Sequence, residues 1–222
     1  MSMKQSYFRY RISFAKQGIA RFIGHLDLQN LFQRAIKRAK LPVAYSEGFN
    51  PHQLLSFAAP LPLGMAGHME ILEVFLIHKV SDEKFFSALD EQLPEGINIV
   101  EIIEVPAVGR SAAAIIRKAT YRITFSCMFN LDEIIQLILE SEIIEIEKKS
   151  KKGTAFVDIR PDIFNLKVES EQSLRTILAC GSEKNLKPEV LARYILSVAE
   201  IAHESCDIVY ERLTIGQDVP PL

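Results

Sequence analysis

Residues 7–40 read YFRYRISFAKQGIARFIGHLDLQNLFQRAIKRAK. Two periodicities follow each other in this stretch. From Tyr7 to Phe14 apolar and polar side chains alternate, the period of a strand with one face buried. From about His25 to Lys40 the apolar positions Leu28, Leu31, Phe32, Ala35, Ile36 and Ala39 recur at three- and four-residue spacing, the stripe of a helix packed on one side. Pro42 ends that helix.

Working outward, Tyr45–Gly67 is irregular and rich in Gly and Pro, with Leu54–Ala58 a short candidate strand. Glu70–His78 (EILEVFLIH) reads as a strand, Ser81–Leu93 as a helix capped by Ser81, and Ile97–Val105 as a strand. The order β-α-β-β-α-β is that of the ferredoxin-like split βαβ motif. A short Pro- and Gly-containing linker, Pro106–Ser111, precedes a restart. Ala119–Ser126 alternates, and Leu131–Glu140 is helical behind a cap at Asn130. Ile143–Lys149 and Thr154–Ile159 flank the turn signal Lys151-Lys152-Gly153. Phe164–Glu169 and Leu174–Ala179 are strand-like, Pro188–Ile201 helical with Pro in its first turn, and Asp207–Ile215 a last strand. The predicted fold class is α+β, with tandem ferredoxin-like domains over residues 1–105 and 112–222, the second carrying an extra strand or hairpin.

The chain has 222 residues, of which 48% are hydrophobic and 24% charged, a balance that excludes a wholly disordered polymer. No run approaches the roughly 18 apolar residues of a membrane span, and the first residues lack the apolar core of a secretion signal. Cys127, Cys180 and Cys206 are scattered and form no CxxC. A zinc ribbon, a disulfide scaffold and an iron–sulfur site are therefore not expected, whereas a reduced, cytoplasmic setting is. No cofactor or metal is predicted, since His and acidic residues show no ligand spacing.

Charge is segregated. Residues 1–60 hold nine Lys or Arg against two acids, although the whole chain is −2. Such a cationic quarter suits an anionic partner. Arg21, Arg34, Lys37 and Arg38 are its candidate contacts, the last three on the helix face opposite the apolar stripe. Asn50 and His52 in the loop, and His25 at the helix start, where free amides favour anions, join them. In the second half Cys180-Gly181-Ser182-Glu183-Lys184-Asn185 joins strand to helix, and Ser182, Lys184 and Asn185 are candidates for an anion-binding loop. His25, His52 and Tyr45 are candidate acid–base groups, provided that they converge. Phe8, Tyr10, Phe22 and Phe49 are candidate stacking aromatics.

The run RF-x-GHLDL…RA-x-x-RA-x-LP-x-AYS-x-GFNPH…SFA-x-PLPLG, with the later GSEKNLKPE, resembles the bacterial radical-SAM-linked protein family, a domain of unknown function found alone or fused to radical S-adenosylmethionine proteins. The similarity spans nearly the whole chain and departs from the family at Gly24, Gln53-Leu54 and Glu73. It implies a radical-SAM enzyme as partner and a setting near RNA-processing and ribosome genes. Three functions are expected in turn. The first is a non-catalytic RNA-binding or substrate-presenting module working with that enzyme. The second is a metal-independent endoribonuclease or RNA-modifying enzyme using His25, His52 and Tyr45. The third is a protein-interaction scaffold.

Overall fold

A computed structural model of the chain describes residues 7–150 and 153–216. The protein is of mixed α/β construction and divides into two compact units, Met1–Ile115 and Ile116–Leu222. The division falls after the short helix α3, Ala112–Ile115, rather than within the 106–111 linker. No helix among the described residues is long and apolar enough to cross a membrane.

In the first unit β1 (Phe8–Lys16) leads through a 3-10 turn, Gly18–Phe22, into α1 (His25–Arg38). Then come β2 (Leu55–Phe57), β3 (Ala66–Leu76), α2 (Asp82–Asp90) and β4 (Ile97–Val105). β1 pairs antiparallel with both β3 and β4. Val74 stands opposite Tyr10 of β1 and Leu55 of β2, so β1 and β2 lie on opposite edges of β3. The order is therefore β4-β1-β3-β2. Alternation sends Tyr10, Ile12, Phe14, Leu72, Val74 and Leu76 to one face. There they meet Phe32 and Ile36 of α1 and Phe85 and Leu89 of α2 in a single core. Phe14, Phe32 and Phe57 meet edge to face, which orients α1 over the sheet.

In the second unit β5 (Lys118–Phe125) is followed by α4 (Leu131–Glu140), β6 (Glu145–Ser150), β7 (Gly153–Asp158), β8 (Ile163–Ser170), β9 (Ser173–Ala179), α5 (Pro188–Val198) and β10 (Ile208–Gly216). β10, β5, β9 and β8 pair in that order, each pairing antiparallel. Setting β6 and β7 aside, first strand, helix, second and third strands, helix and last strand follow the pattern of the first unit. β6 and β7 form a separate two-stranded ribbon, from Glu145↔Asp158 to Ser150↔Gly153. The turn residues Lys151 and Lys152 lie outside the described residues, as does Lys4 of the basic quarter.

Both expected caps are made, with the Ser81 and Asn130 side chains accepting from the amides of Lys84 and Glu133. The helices stop earlier than their apolar periodicity suggests. α1 ends at Arg38 because Lys40 takes a positive φ of 53°, and α5 ends at Val198 before Glu200 at 58°. One expectation is corrected. Cys127 and Cys206 are joined by a disulfide, leaving Cys180 as the buried free thiol. Seventy-nine residues separate the two in sequence, but they sit just beyond paired ends of β5 and β10, where Phe125 faces Ile208.

Candidate functional site

The GFNPH loop is built on a small ladder. Tyr45 and Gln53 bridge antiparallel strands, the Ser46 amide donates to the His52 carbonyl at 2.8 Å, and Ser46 Oγ lies 2.8 Å from His52 Nδ1. Neighbouring positions on a ladder face opposite ways, so the rings of Tyr45 and His52 point apart. Gln53 anchors the ladder to α1 by donating from Nε2 to the Gln33 carbonyl at 3.1 Å. Beyond His52 the tip Glu47–Pro51 is exposed, and Phe49 stands fully in solvent.

His25 is elsewhere. Its ring packs edge to face on Phe57 at 5.4 Å at the start of α1. Gln33, where the loop is anchored, comes eight residues later, about 12 Å along the helix axis. His25 therefore stands about two helical turns from the loop's anchor, and Tyr45 and His52 face opposite ways.

The cations of the first quarter disperse as well. Arg9 and Arg11 both donate to Glu73, at 2.6 and 3.0 Å, beneath the sheet, and Lys16 is buried. Glu73 also accepts from the Ala112 amide at 3.0 Å. Burial would raise its pKa, but these bonds from Arg9, Ala112 and Arg11 together outweigh burial and hold the carboxyl below its ordinary value. Arg21 lies over the Phe22 ring at 4.7 Å. Asn30, Arg34, Lys37 and Arg38 are exposed, as their helix face requires.

Arg34 and Arg38 line a shallow cleft of about 690 Å³ between α1 and the α2–β4 turn, together with Asp27, Asn30 and Glu91. Arg38 is committed there, donating to the Gln92 carbonyl at 2.5 Å and to its side-chain oxygen at 3.3 Å. At about 100° per residue, Gln33 and Arg38 point some 140° apart. The arginine cleft and the GFNPH loop thus occupy different flanks of α1. Of the opening cations, Arg9, Arg11, Arg34 and Arg38 do not gather beside the loop, whereas Lys37 lies about 40° from Gln33 around the helix. The strand pairing draws Arg9 and Arg11 to Glu73, and helix geometry turns Arg34 and Arg38 away.

What the motif segments do share is the N-terminal end of α1. Gly64 of PLPLG donates its amide to the Arg21 carbonyl at 3.0 Å. A side chain at Gly64 would meet Phe22 at 3.8 Å. From these joined segments Ile19, Phe22, Leu26 and Leu63 project into solvent, each at least 57% exposed. Of the candidate aromatics, Tyr10 is core, Phe8 is half-buried, and Phe22 and Phe49 are exposed. Exposed Leu26 and Leu63 gave no signal in the sequence, because an apolar residue reads as core until its direction is known.

In the second unit the loop after β9 turns at Gly181, where an added Cβ would lie 2.5 Å from the Ile116 carbonyl oxygen. Ser182, Lys184 and Asn185 are exposed. Lys184 is held by Asp162 at 2.9 Å, and neighbouring Glu183 pairs with Arg117 at 3.2 Å. Asn185 instead lines a cleft of about 640 Å³ between the β6–β7 ribbon and α5.

Residues 9–188 match a family described as an uncharacterized protein conserved in bacteria, DUF2344. No curated protein matches the chain.

Proposed function

The chain belongs to this family of uncharacterized bacterial proteins, and from that premise we infer that it is a non-catalytic RNA-binding or substrate-presenting module working with a radical-SAM enzyme in RNA or ribosome-related modification. The observation that carries this reading is the apolar end of the first unit. Phe22, Leu26 and Leu63 are displayed by the very segments that hold the sequence motif, RF-x-GHLDL and PLPLG, and Ile19 stands two residues before it. Contiguous exposed apolar side chains held by ordered backbone are the mark of a docking surface. The acid–base candidates, by contrast, are dispersed. The orders β4-β1-β3-β2 and β10-β5-β9-β8, with helices after the first and third strands, support reading both units as ferredoxin-like. Sheets of that type can hold RNA bases by stacking, as RNA-recognition modules do. The radical-SAM partner rests on the sequence resemblance.

The test is capture from bacterial lysate with the intact chain as bait, with and without ribonuclease. A radical-SAM enzyme is expected among the retained proteins in both arms. Replacing Phe22 and Leu26 together by Asp should lower its retention at least roughly ten-fold, the scale of losing central apolar anchors, with melting temperature unchanged. No enrichment of such an enzyme, or equal capture by the double variant, would remove the docking role. Capture abolished by ribonuclease would replace direct docking with an RNA bridge.

A further inference from the structure

The ribbon of the second unit is a mounted arm. Asp158 Oδ1 accepts the amides of Ile144 and Arg160, both at 2.9 Å, which holds this carboxyl below its ordinary pKa. The Ile159 amide donates to the Ile144 carbonyl at 2.9 Å. Arg160 adds bonds to the carbonyls of Ser141 at 3.0 Å and Ile163 at 3.2 Å. Beyond this base every residue of β7 is exposed, including Phe156. A lone two-stranded ribbon has little stability of its own, so the fastened base is what fixes its direction.

Ile146 stands opposite Val157, and Glu147 opposite Phe156. Strand alternation therefore places Ile146, Lys148 and Val157 on one face and Glu145, Glu147 and Phe156 on the other. The first face closes over the 640 Å³ cleft, whose far wall is α5 and the residues before it. Three cations line the cleft: Lys148 from the ribbon, and Lys187 and Arg193 from the α5 side. None of the three is in an ion pair among the described residues. The buried-side acid, Asp162, is taken up by Lys184. Glu145 and Glu147 of the ribbon line the cleft as well. Tyr194, Asn185 and Ser197 supply a ring and neutral hydrogen-bonding groups. In sequence the cationic character continues past Lys148, since residues 148–153 read KKSKKG and the next acid is Asp158.

We propose that the cleft between the β6–β7 ribbon and α5 binds a single-stranded stretch of RNA, with backbone phosphates on Lys148, Lys187 and Arg193 and a base against Tyr194. The volume suits one or two nucleotides rather than a duplex. Cations separated across a groove, with an aromatic ring between them, are the arrangement that tracks a single strand. The lysines that follow Lys148 in the sequence favour a polymer over a free nucleotide. This site rests on the reading of the protein as an RNA-presenting module, and it assigns RNA contact to the second unit rather than to the arginines of α1.

The experiment is fluorescence-anisotropy titration of the full chain with a labelled 12-nucleotide single-stranded RNA over a series of salt concentrations. Parallel arms use the matching DNA strand, an RNA duplex and adenosine monophosphate as competitor. The variant Lys148→Ala with Lys187→Ala and Arg193→Ala should bind at least ten-fold more weakly. Its log–log salt slope should be flatter by about 2, because each lost phosphate contact removes roughly 0.7 on a single strand. Tyr194→Leu should weaken binding several-fold and leave the slope alone. Arg34→Ala with Arg38→Ala should bind as the parent does. RNA binding by the parent that the triple variant retains, or that the α1 double variant loses, overturns the site while the presenting role stands. No RNA binding by the parent overturns both the site and RNA as the presented substrate, while capture of the partner enzyme is unaffected. Tighter binding of duplex, or full competition by the mononucleotide at equal concentration, also overturns the single-strand assignment.

Discussion

Glu73 is the residue on which the underside of the first sheet turns. Its carboxylate is 1% exposed and answers two guanidinium groups and one amide. Replacing it by Gln leaves Arg9, itself 4% exposed, without a counter-charge, at a cost of about 3–5 kcal/mol for a broken buried pair. Urea unfolding at pH 7 should show this as a lower midpoint with the same slope. The pH dependence has a definite sign. The folded-state pKa lies below the ordinary 4.5, so the unfolded chain takes up the proton first. The stabilisation is complete above that value and is lost as pH falls through the folded-state pKa. The difference between parent and Glu73→Gln should therefore be flat near neutrality and shrink in acid. A difference that grows on acidification would contradict the assignment. The sequence shows Arg9, Arg11 and Glu73 on alternating strands, yet it does not disclose that β1 and β3 are neighbours in the register Arg11↔Glu73. That register converts two cations offered to a partner into structural groups.

At the level of elements, the junction between β1 and α1 is set by a close backbone approach. Gly96 has φ +85°, and a Cβ there would stand 2.6 Å from the Gln17 carbonyl oxygen and 2.9 Å from Ala20 Cβ. The Gly96 carbonyl accepts the Gln17 amide at 2.8 Å. This contact seats the 3-10 turn that carries Ile19 and Phe22. Gly96→Ala should cost about 2 kcal/mol or more, since strain in the left-handed region adds to a clash with backbone. It should also raise amide exchange across Gly18–Phe22. Unchanged stability would show that the turn yields to the methyl group. The elements themselves were readable before any coordinates. Strand and helix periods in residues 7–40, the Ser81 and Asn130 caps and the strand Ile97–Val105 all follow from local chemistry. The 3-10 turn and the α1 and α5 ends were not, because positive φ at Lys40 and Glu200 follows from packing of the following chain rather than from residue type.

For the whole molecule, the Cys127–Cys206 link closes a 79-residue separation in the second unit. Loop-closure entropy for that length corresponds to about 4.5 kcal/mol. Cys127→Ser with Cys206→Ser should accordingly speed hydrogen exchange in β5 and β10. Alkylation of the unreduced, denatured parent should modify Cys180 alone. Labelling of all three thiols would show that the link does not form. The sequence by itself determined the two-fold repetition of strands and helices, the apolar faces and the ionic imbalance of the opening quarter, since each is local pattern written in residue order. Only the tertiary structure decided which charges remain available. Pairing hides Arg9 and Arg11, the α2–β4 turn takes Arg38, and the seating of the hairpin ribbon sets Lys148 across a cleft from Lys187 and Arg193. The reason is physical: a side chain's period along its own element is set by backbone geometry, but what it faces is set by which distant segment completes the core.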